Sequence, residues 1–532
     1  MTQRNADQET LYTPSTVTLL PVKTAREKLA SYSLLAIFIF TSTLYALLIL
    51  RDDLPLIALV LLAVLWVIHM VSYRWSIEPT PLNMPILGLL LLLPINFIIS
   101  ADPSSTLIRI YHLFLSFSLF FTIIRLVKFR KHLPTLILSI IILSIGAGLL
   151  GLLATDWSSG LLGFLSPFYE KLPRLNSIIP GASINKNTMG GALAFFPPLL
   201  LSLIWDGSAF KKMIAKYPVI ARFPEWLYKL MVLLALLLVL AIIFLTQSRG
   251  AWLGTAAGFF LFLVWKDKRF LLAIPLGVLA LFIVLKQTDI GGLPELFTLL
   301  DRGQDASLQS RLDIWQRIIS MVRDFPVTGL GLDALNPVYQ AFFNPFLFNE
   351  PPAMLYHAHN TFLSVTIEMG IPALILYVSL LSAFGAMAWR TWKHARTVNR
   401  VLIMGLVCGM IAYQVFGLMD AYPLGKNLGI TMWIYFGVMT ALYVHRAQMV
   451  RSFPQPQAQM EPPLVKKQLQ QNLIGLSVWL VLALLALGLI RLDVYLSLLI
   501  AIASGVLIGV VSVKNPLRSI ASNPIQQIGT QP

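Results

Sequence analysis

Read for apolar and polar positions alone, the chain is a series of hydrophobic runs broken by short polar stretches. A helix needs roughly 20 apolar residues to cross the hydrocarbon core of a bilayer. Runs near that length fall at 31–50, 54–73, 84–100, 105–127, 134–154, 187–205, 226–246, 251–265, 270–286, 360–389, 401–420, 428–446, 472–490 and 493–512. In hydrocarbon a helix satisfies its own backbone hydrogen bonds, so the pattern predicts an all-α polytopic membrane protein with about 14 transmembrane helices. Two segments interrupt the rhythm. Residues 287–359 are long and largely polar, with a helical stretch over 310–323 and a turn at Thr328-Gly329-Leu330-Gly331, which predicts a small helical cap outside the membrane. Residues 448–471 carry Pro454, Pro456, Pro462, Pro463 and several Gln, which predicts a flexible linker. The expected divisions are an N-terminal segment 1–30, a membrane core 31–447 of twelve helices, the linker, an appended hairpin 472–512 and a tail 513–532.

Composition agrees with this reading. Of 532 residues, 57% are hydrophobic and 12% charged. The net charge of +16 would suit nucleic acid if it were gathered on one face, but it is not. Lys and Arg cluster in alternate loops, such as Arg125/Lys128/Arg130/Lys131, Lys211/Lys212/Lys216/Arg222 and Arg390/Lys393/Arg396/Arg400, while the loops between hold few. That alternation marks the cytoplasmic side, so the basicity reads as an insertion signal and no nucleic-acid partner is expected. Both termini are expected in the cytoplasm. Residues 1–30 lack the apolar core of a cleaved signal, and the first span is expected to direct insertion. The single cysteine, Cys408, lies inside an apolar run and reads as a small core residue.

The same alternation places 51–53, 101–104, 155–186, 247–250, 287–359 and 421–427 on the outer side. Arg249 stands there in a turn with almost no loop, between Ser248 and Gly250. A guanidinium at a bilayer edge is costly unless something polar or anionic meets it, so it reads as a ligand for an anion, with a snorkelling anchor as the plainer role. Arg311 lies on the amphipathic stretch with Leu308, Leu312 and Trp315, where a solvated pair with Asp313 is as plausible as anion binding. Two arginines can hold a pyrophosphate bidentately. Asn185-Lys186-Asn187 leads into a span, and Lys186 with the helix amides suits a phosphate, Arg174 adding attraction. A polar cap with close packing at Gly190 and Gly191 explains the segment equally well. At His357-Ala358-His359-Asn360 a neutral imidazole suits a general base near pH 7. His359 is the first choice and His357 an orienting or binding residue. A metal at the pair is not expected, since outer cysteines are absent and no carboxylate accompanies it in sequence. Weaker candidates are Glu368, a buried partner for an arginine; Asp420, which would position a histidine or arginine; and Arg109, near the same outer level.

These motifs resemble the O-antigen ligase and polymerase superfamily of bacterial envelope glycosyltransferases. The resemblance rests on Ser248-Arg249-Gly250-Ala251-Trp252-Leu253, Gln309-Ser310-Arg311-Leu312-Asp313-Ile314-Trp315, Gly329-Leu330-Gly331, His357-Ala358-His359-Asn360-Thr361-Phe362-Leu363 and Glu368-Met369-Gly370-Ile371-Pro372. It covers residues 180–445, and the C-terminal hairpin and Lys186 depart from it. It implies a bacterial inner-membrane enzyme, active on the extracytoplasmic face and without cofactor. Its donor is a glycan on undecaprenyl diphosphate, drawn from the bilayer. Its acceptor is a hydroxyl of lipid A core, another glycan or a protein. Arginines matching Arg249 and Arg311 would hold the diphosphate, and a histidine of the His-Asn motif would be the base, inverting the anomeric carbon. A polymerase of the same superfamily is the near alternative. A transporter of an anionic lipid or solute would instead place charge at the bilayer midplane and show internal repeats. A scaffolding protein would have no reason to gather arginine and histidine on one face.

Overall fold

The computed structural model describes residues 25–50, 56–72, 78–128, 133–157, 165–172, 183–205, 224–277, 279, 308–343, 355–393, 395, 397–421, 424–425, 429–444 and 462–513. Arg174 and the linker residues 448–461 lie outside them. The principal helices are α1 (Ala25–Leu50), α2 (Leu56–Ser72), α3 (Asn83–Ile99), α4 (Pro103–Lys128), α5 (Leu133–Ala154), α6 (Lys186–Leu193) and α7 (Phe196–Trp205). They continue with α8 (Glu225–Leu245), α9 (Arg249–Lys266), α10 (Leu308–Asp324), α11 (Thr361–Trp392), α12 (Thr397–Gly417), α13 (Ile430–Val444), α14 (Pro462–Leu489) and α15 (Val494–Ser512). Among the described residues there is no strand, and Thr155 and Ile184 form one isolated bridge.

Among the described residues, eight spans are long and apolar enough to cross a membrane: α4, α5, the pair α6–α7, α8, α11, α12, α14 and α15. Helices α1, α2, α3 and α13 contain shorter apolar stretches. The expected count of about fourteen is therefore not confirmed among the described residues. Three glycines and a terminal Arg and Lys dilute α9. The run expected at 270–286 begins as a 3₁₀ turn, Lys268–Leu272, capped by Asp267, and most of its remainder lies outside the described residues. Of the linker expected at 448–471, the residues from Pro462 onward belong to α14. Proline has no amide to leave unsatisfied in a first turn and its φ suits one, so Pro462 and Pro463 start a helix here.

The core is organised around α11, which packs against α3, α10, α12, α13, α14 and α15. This helix is broken at Gly370 (φ 81°), two residues before Pro372. Pro372 has no N–H to give the Glu368 carbonyl, and the break separates Ile371 N from Ile367 O. Residues 326–331 supply the missing partners. Leu330 N donates to Ile367 O (2.9 Å), Gly331 N to Glu368 O (3.0 Å), and Ile371 N to Pro326 O (2.8 Å). Asn96 of α3 closes the arrangement, donating to Glu368 O (2.7 Å) and accepting from Leu332 N (2.8 Å). A Cβ on Gly329 would lie 2.4 Å from Glu368 C, and one on Gly370 would lie 2.2 Å from Val327 O. The two glycine motifs are thus the halves of one backbone clasp. It seats the outer segment on the membrane core, together with Ile318, Met321 and Val322 of α10, all fully buried. The buried face of α10 is this one, while Leu312 is exposed.

A second close approach joins α9 to α12. Gly250, Gly254 and Gly258 are spaced by four, placing them on one stripe of α9. A Cβ at Gly254 would sit 2.3 Å from the Ala412 carbonyl oxygen, and one at Gly258 would sit 2.8 Å from that of Cys408. Cys408 is fully buried there, as expected of a core residue. The hairpin α14–α15 uses the same device: a Cβ on Gly505 would lie 2.6 Å from Ile375 O, and one on Gly509 2.4 Å from Ser379 O. Trp479 also donates to Pro372 O at 3.0 Å, so the hairpin is built into the core and braces α11 beside its break.

Leucine in place of Gly254 must push against a backbone carbonyl that has no room to retreat. Gly254→Leu is expected to cost about 3 kcal/mol or more, the upper end for overpacking. Gly385→Ala, with nothing within 4 Å of the new Cβ, is expected to be neutral. Thermal unfolding of the purified variants in one detergent, followed by size-exclusion fluorescence, compares them. Equal midpoints would mean that α9 and α12 do not depend on this contact.

Candidate active site

One polar pocket lies where the ends of four helices meet. Asn187, Gln247, Ser248, Arg249, Gly250, Arg311, Met419 and Asp420 line it. The two arginines singled out from sequence, 62 positions apart, therefore share a wall. Arg249 is the first residue of α9, and Ser248 is its N-cap, accepting from Ala251 N. The turn is pinned on both sides. Gln247 takes the left-handed conformation (φ 52°) and donates to the Tyr169 hydroxyl. That hydroxyl donates to Leu245 O (2.8 Å), and Trp157 stacks on the Tyr169 ring. Burial pushes the Tyr169 phenol up, against the hydrogen bond from Gln247, so it keeps the proton that it donates. On the other side Gly190 of α6 packs against Thr246, Ser248 and Ala251 so closely that a Cβ would lie within 3.1 Å of each.

Helix α6 enters the same pocket by its N-terminal end. Asn185 is its N-cap and accepts from Asn187 N (2.8 Å), and Asn187 reaches the pocket wall. Lys186, between them, is not among the lining residues and lies within electrostatic reach of Asp156. Two helix N-termini, those of α6 and α9, thus present amides and partial positive charge beside two guanidinium groups. Arg311 comes from the first turn of α10, which the clasp holds over the bundle.

The histidines stand against this pocket through Asp420. Asn360 is the N-cap of α11, accepting from Phe362 N (3.0 Å) and Leu363 N (3.1 Å), a cap worth about 1 kcal/mol. Its amide donates to Leu418 O (3.3 Å) and so ties the start of α11 to the end of α12. His359 precedes it in the left-handed region (φ 46°). Positive φ in residues other than glycine is uncommon, and both Gln247 and His359 adopt it at this site. The His359 Nδ1 lies 3.3 Å from Asp420 Oδ1, and His357 Nε2 lies 4.0 Å from the same oxygen. The two rings meet edge to face with centroids 4.1 Å apart.

Asp420 is almost fully buried. Burial pushes its carboxyl up, but His359 beside it, the charge that the two imidazoles can carry and the Ala421 amide at 2.8 Å outweigh burial and hold it at about 2. It is a carboxylate at any working pH. The three groups also bring one ligand atom each to within 4.8 Å of one another. The reason for setting a metal aside in the sequence, that no carboxylate accompanies the histidines, fails in three dimensions, because the end of α12 supplies one.

Other candidates lie elsewhere. Arg109 is bound to Asp333 at 2.5 Å and fastens α4 to the outer segment, outside the pocket wall. Glu368 is buried at the α11 break, where its carbonyl serves the clasp. Asp313 is on the exposed side of α10. Gln247 and Met419 line the pocket without having been singled out. A left-handed glutamine before an N-cap has no sequence mark, and Met419 is placed only by where α12 ends.

No curated protein matches the chain. A family model described as O-antigen ligase matches residues 234–378, a segment that contains Arg249, Arg311, His357 and His359 but stops short of Asp420. Over this segment the chain is similar to the O-antigen ligase family.

Proposed function

We propose that the protein transfers a glycan from a polyprenyl diphosphate, undecaprenyl diphosphate in a bacterial inner membrane, to a hydroxyl of an envelope acceptor such as lipid A core. The observation that carries this is the sharing of one pocket by Arg249, Arg311 and two helix N-termini, beside a carboxylate in contact with His359. The diphosphate is the leaving group, and its charge grows as the anomeric C–O bond breaks. Preformed guanidinium and amide donors stabilise that growing charge more than the ground state. Asp420 facing Nδ1 favours the tautomer with its proton there, which leaves Nε2 of His359 with the lone pair. The acceptor proton passes to Nε2, the acceptor oxygen bonds to the anomeric carbon from the face opposite the diphosphate, and configuration inverts. The alternating basic loops support the extracytoplasmic face for this chemistry.

Arg249→Ala is expected to lower transfer by roughly 100-fold or more, the usual loss for a preorganised donor to a developing charge. Arg249→Lys keeps the charge but not the planar fork, and is expected to recover only part of that loss. Both are read on purified lipid-linked glycan at matched protein. Full turnover by Arg249→Ala would reduce the residue to a helix anchor.

His359→Ala is expected to lose roughly 10²- to 10⁴-fold in rate while donor binding stays near wild type, as for a general base. Asp420→Asn removes the charge that stabilises the imidazolium, so its plateau rate should fall and the acidic limb of its pH profile should move to lower pH. Asp420 itself cannot produce the wild-type limb, since it stays ionised down to about 2. Rate–pH profiles at saturating donor decide this. An unmoved limb in Asp420→Asn would separate the carboxylate from the base.

A further inference from the structure

Two imidazoles and one carboxylate, converging from the start of α11 and the end of α12, form a donor set that borderline divalent cations prefer. We propose that His357, His359 and Asp420 constitute a binding site for a transition-metal dication of the zinc type, and that occupancy switches transfer off. Binding rests on the donor geometry alone; only its inhibitory consequence rests on the transferase reading.

The geometry is close to what such an ion needs. Ligand atoms about 2.0–2.2 Å from a tetrahedral zinc stand roughly 3.3–3.5 Å from one another. Here Nδ1 of His359 is 3.3 Å and Nε2 of His357 is 4.0 Å from the same carboxylate oxygen, and all three ligand atoms fall within 4.8 Å. A small inward rotation of the His357 ring closes the set. Three protein ligands leave one position for water, and the pocket lined by Asp420 is polar. Both histidines are half-buried, open enough for an ion to enter.

Inhibition follows from which nitrogen faces the carboxylate. If Nδ1 of His359 gives its lone pair to the metal, a neutral imidazole must carry its proton on Nε2. Nε2 is then a donor, and no lone pair remains to take the acceptor's proton. The ion also occupies the place in which Asp420 would stabilise the imidazolium. One dication thus removes the base and its partner together, without touching Arg249 or Arg311.

The test uses the full chain, purified in detergent and stripped with chelator. Cobalt(II) is titrated in, and its visible ligand-field absorption is recorded. One ion per chain should bind, displaced by zinc, with affinity at least tenfold weaker in each of His357→Ala, His359→Ala and Asp420→Asn. Cys408→Ser should bind as wild type does, and His357→Gln checks that loss is not misfolding. Zinc should stop transfer by the wild type, chelator should restore it, and the fold-inhibition should shrink in His357→Ala relative to its own metal-free rate. No saturable cobalt signal, or one indifferent to all three substitutions, would overturn the site. Binding accompanied by faster transfer would overturn the inhibitory role. Intact binding in a protein that transfers nothing under any condition would leave the site standing and remove the transferase reading instead.

Discussion

A bilayer leaves no backbone polar group to water, and the break in α11 is where this fold meets that constraint most severely. Pro372 and the left-handed Gly370 free the carbonyls of Ile367 and Glu368 and the amide of Ile371. Each is satisfied by residues 326–331, which follow α10, with Asn96 as the side-chain member. The unsatisfied alternative would cost several kcal/mol per group in hydrocarbon, so the break and the outer segment stabilise each other. Arg311 belongs to the helix immediately before that segment, and the histidines begin the helix that it clasps. The relative placement of Arg311 and His359 therefore depends on a set of main-chain hydrogen bonds remote from either.

The site itself balances opposite charges at short range. Two guanidinium groups and two helix N-termini make the pocket attractive to an anion, yet a carboxylate is one of its walls. Left alone, Asp420 would oppose a diphosphate and would be raised by burial. Its contact with His359 and the Ala421 amide resolves both difficulties, because charge drawn toward the imidazoles is no longer presented to the ligand. The acid is useful to a base only in this paired form, which links the anionic subsite electrostatically to proton transfer.

Much of the architecture was legible in the chain. The apolar runs, the amphipathic 310–323 and the positions of Arg249 and the His-Asn motif all carry local signatures: length, period and an N-cap. The glycine motifs were visible as motifs, but their purpose was not. Gly329 and Gly370 are meaningful only against each other across 41 residues, and no periodicity connects them. Arg109 was readable only as a weaker candidate than Arg249, near the same level. What could not be read was Asp333, a left-handed residue within a turn, which binds Arg109. Asp420 was readable as a group that would position a histidine or an arginine, but which of them depends on how α11 and α12 are tied at Asn360 and Leu418.

That tie also explains why the histidine is held in an unfavourable conformation. With φ positive, His359 turns the chain sharply into the N-cap, so Asn360 reaches both its own helix and the carbonyl that ends α12. An extended residue at 359 would carry the ring away from Asp420, and a residue other than asparagine at 360 would lose either the cap or the crossing bond. The strain is small, of order 1–3 kcal/mol, and is offset by the cap and by the buried contacts of the first turn of α11. Thr361 and Ser364 are almost fully buried there, and Gly417 comes close enough to Thr361 that a Cβ would meet its hydroxyl at 2.7 Å. The orientation of the proposed base is therefore a consequence of how tightly two helix ends pack, and a change at Gly417 would reach His359 without touching the pocket.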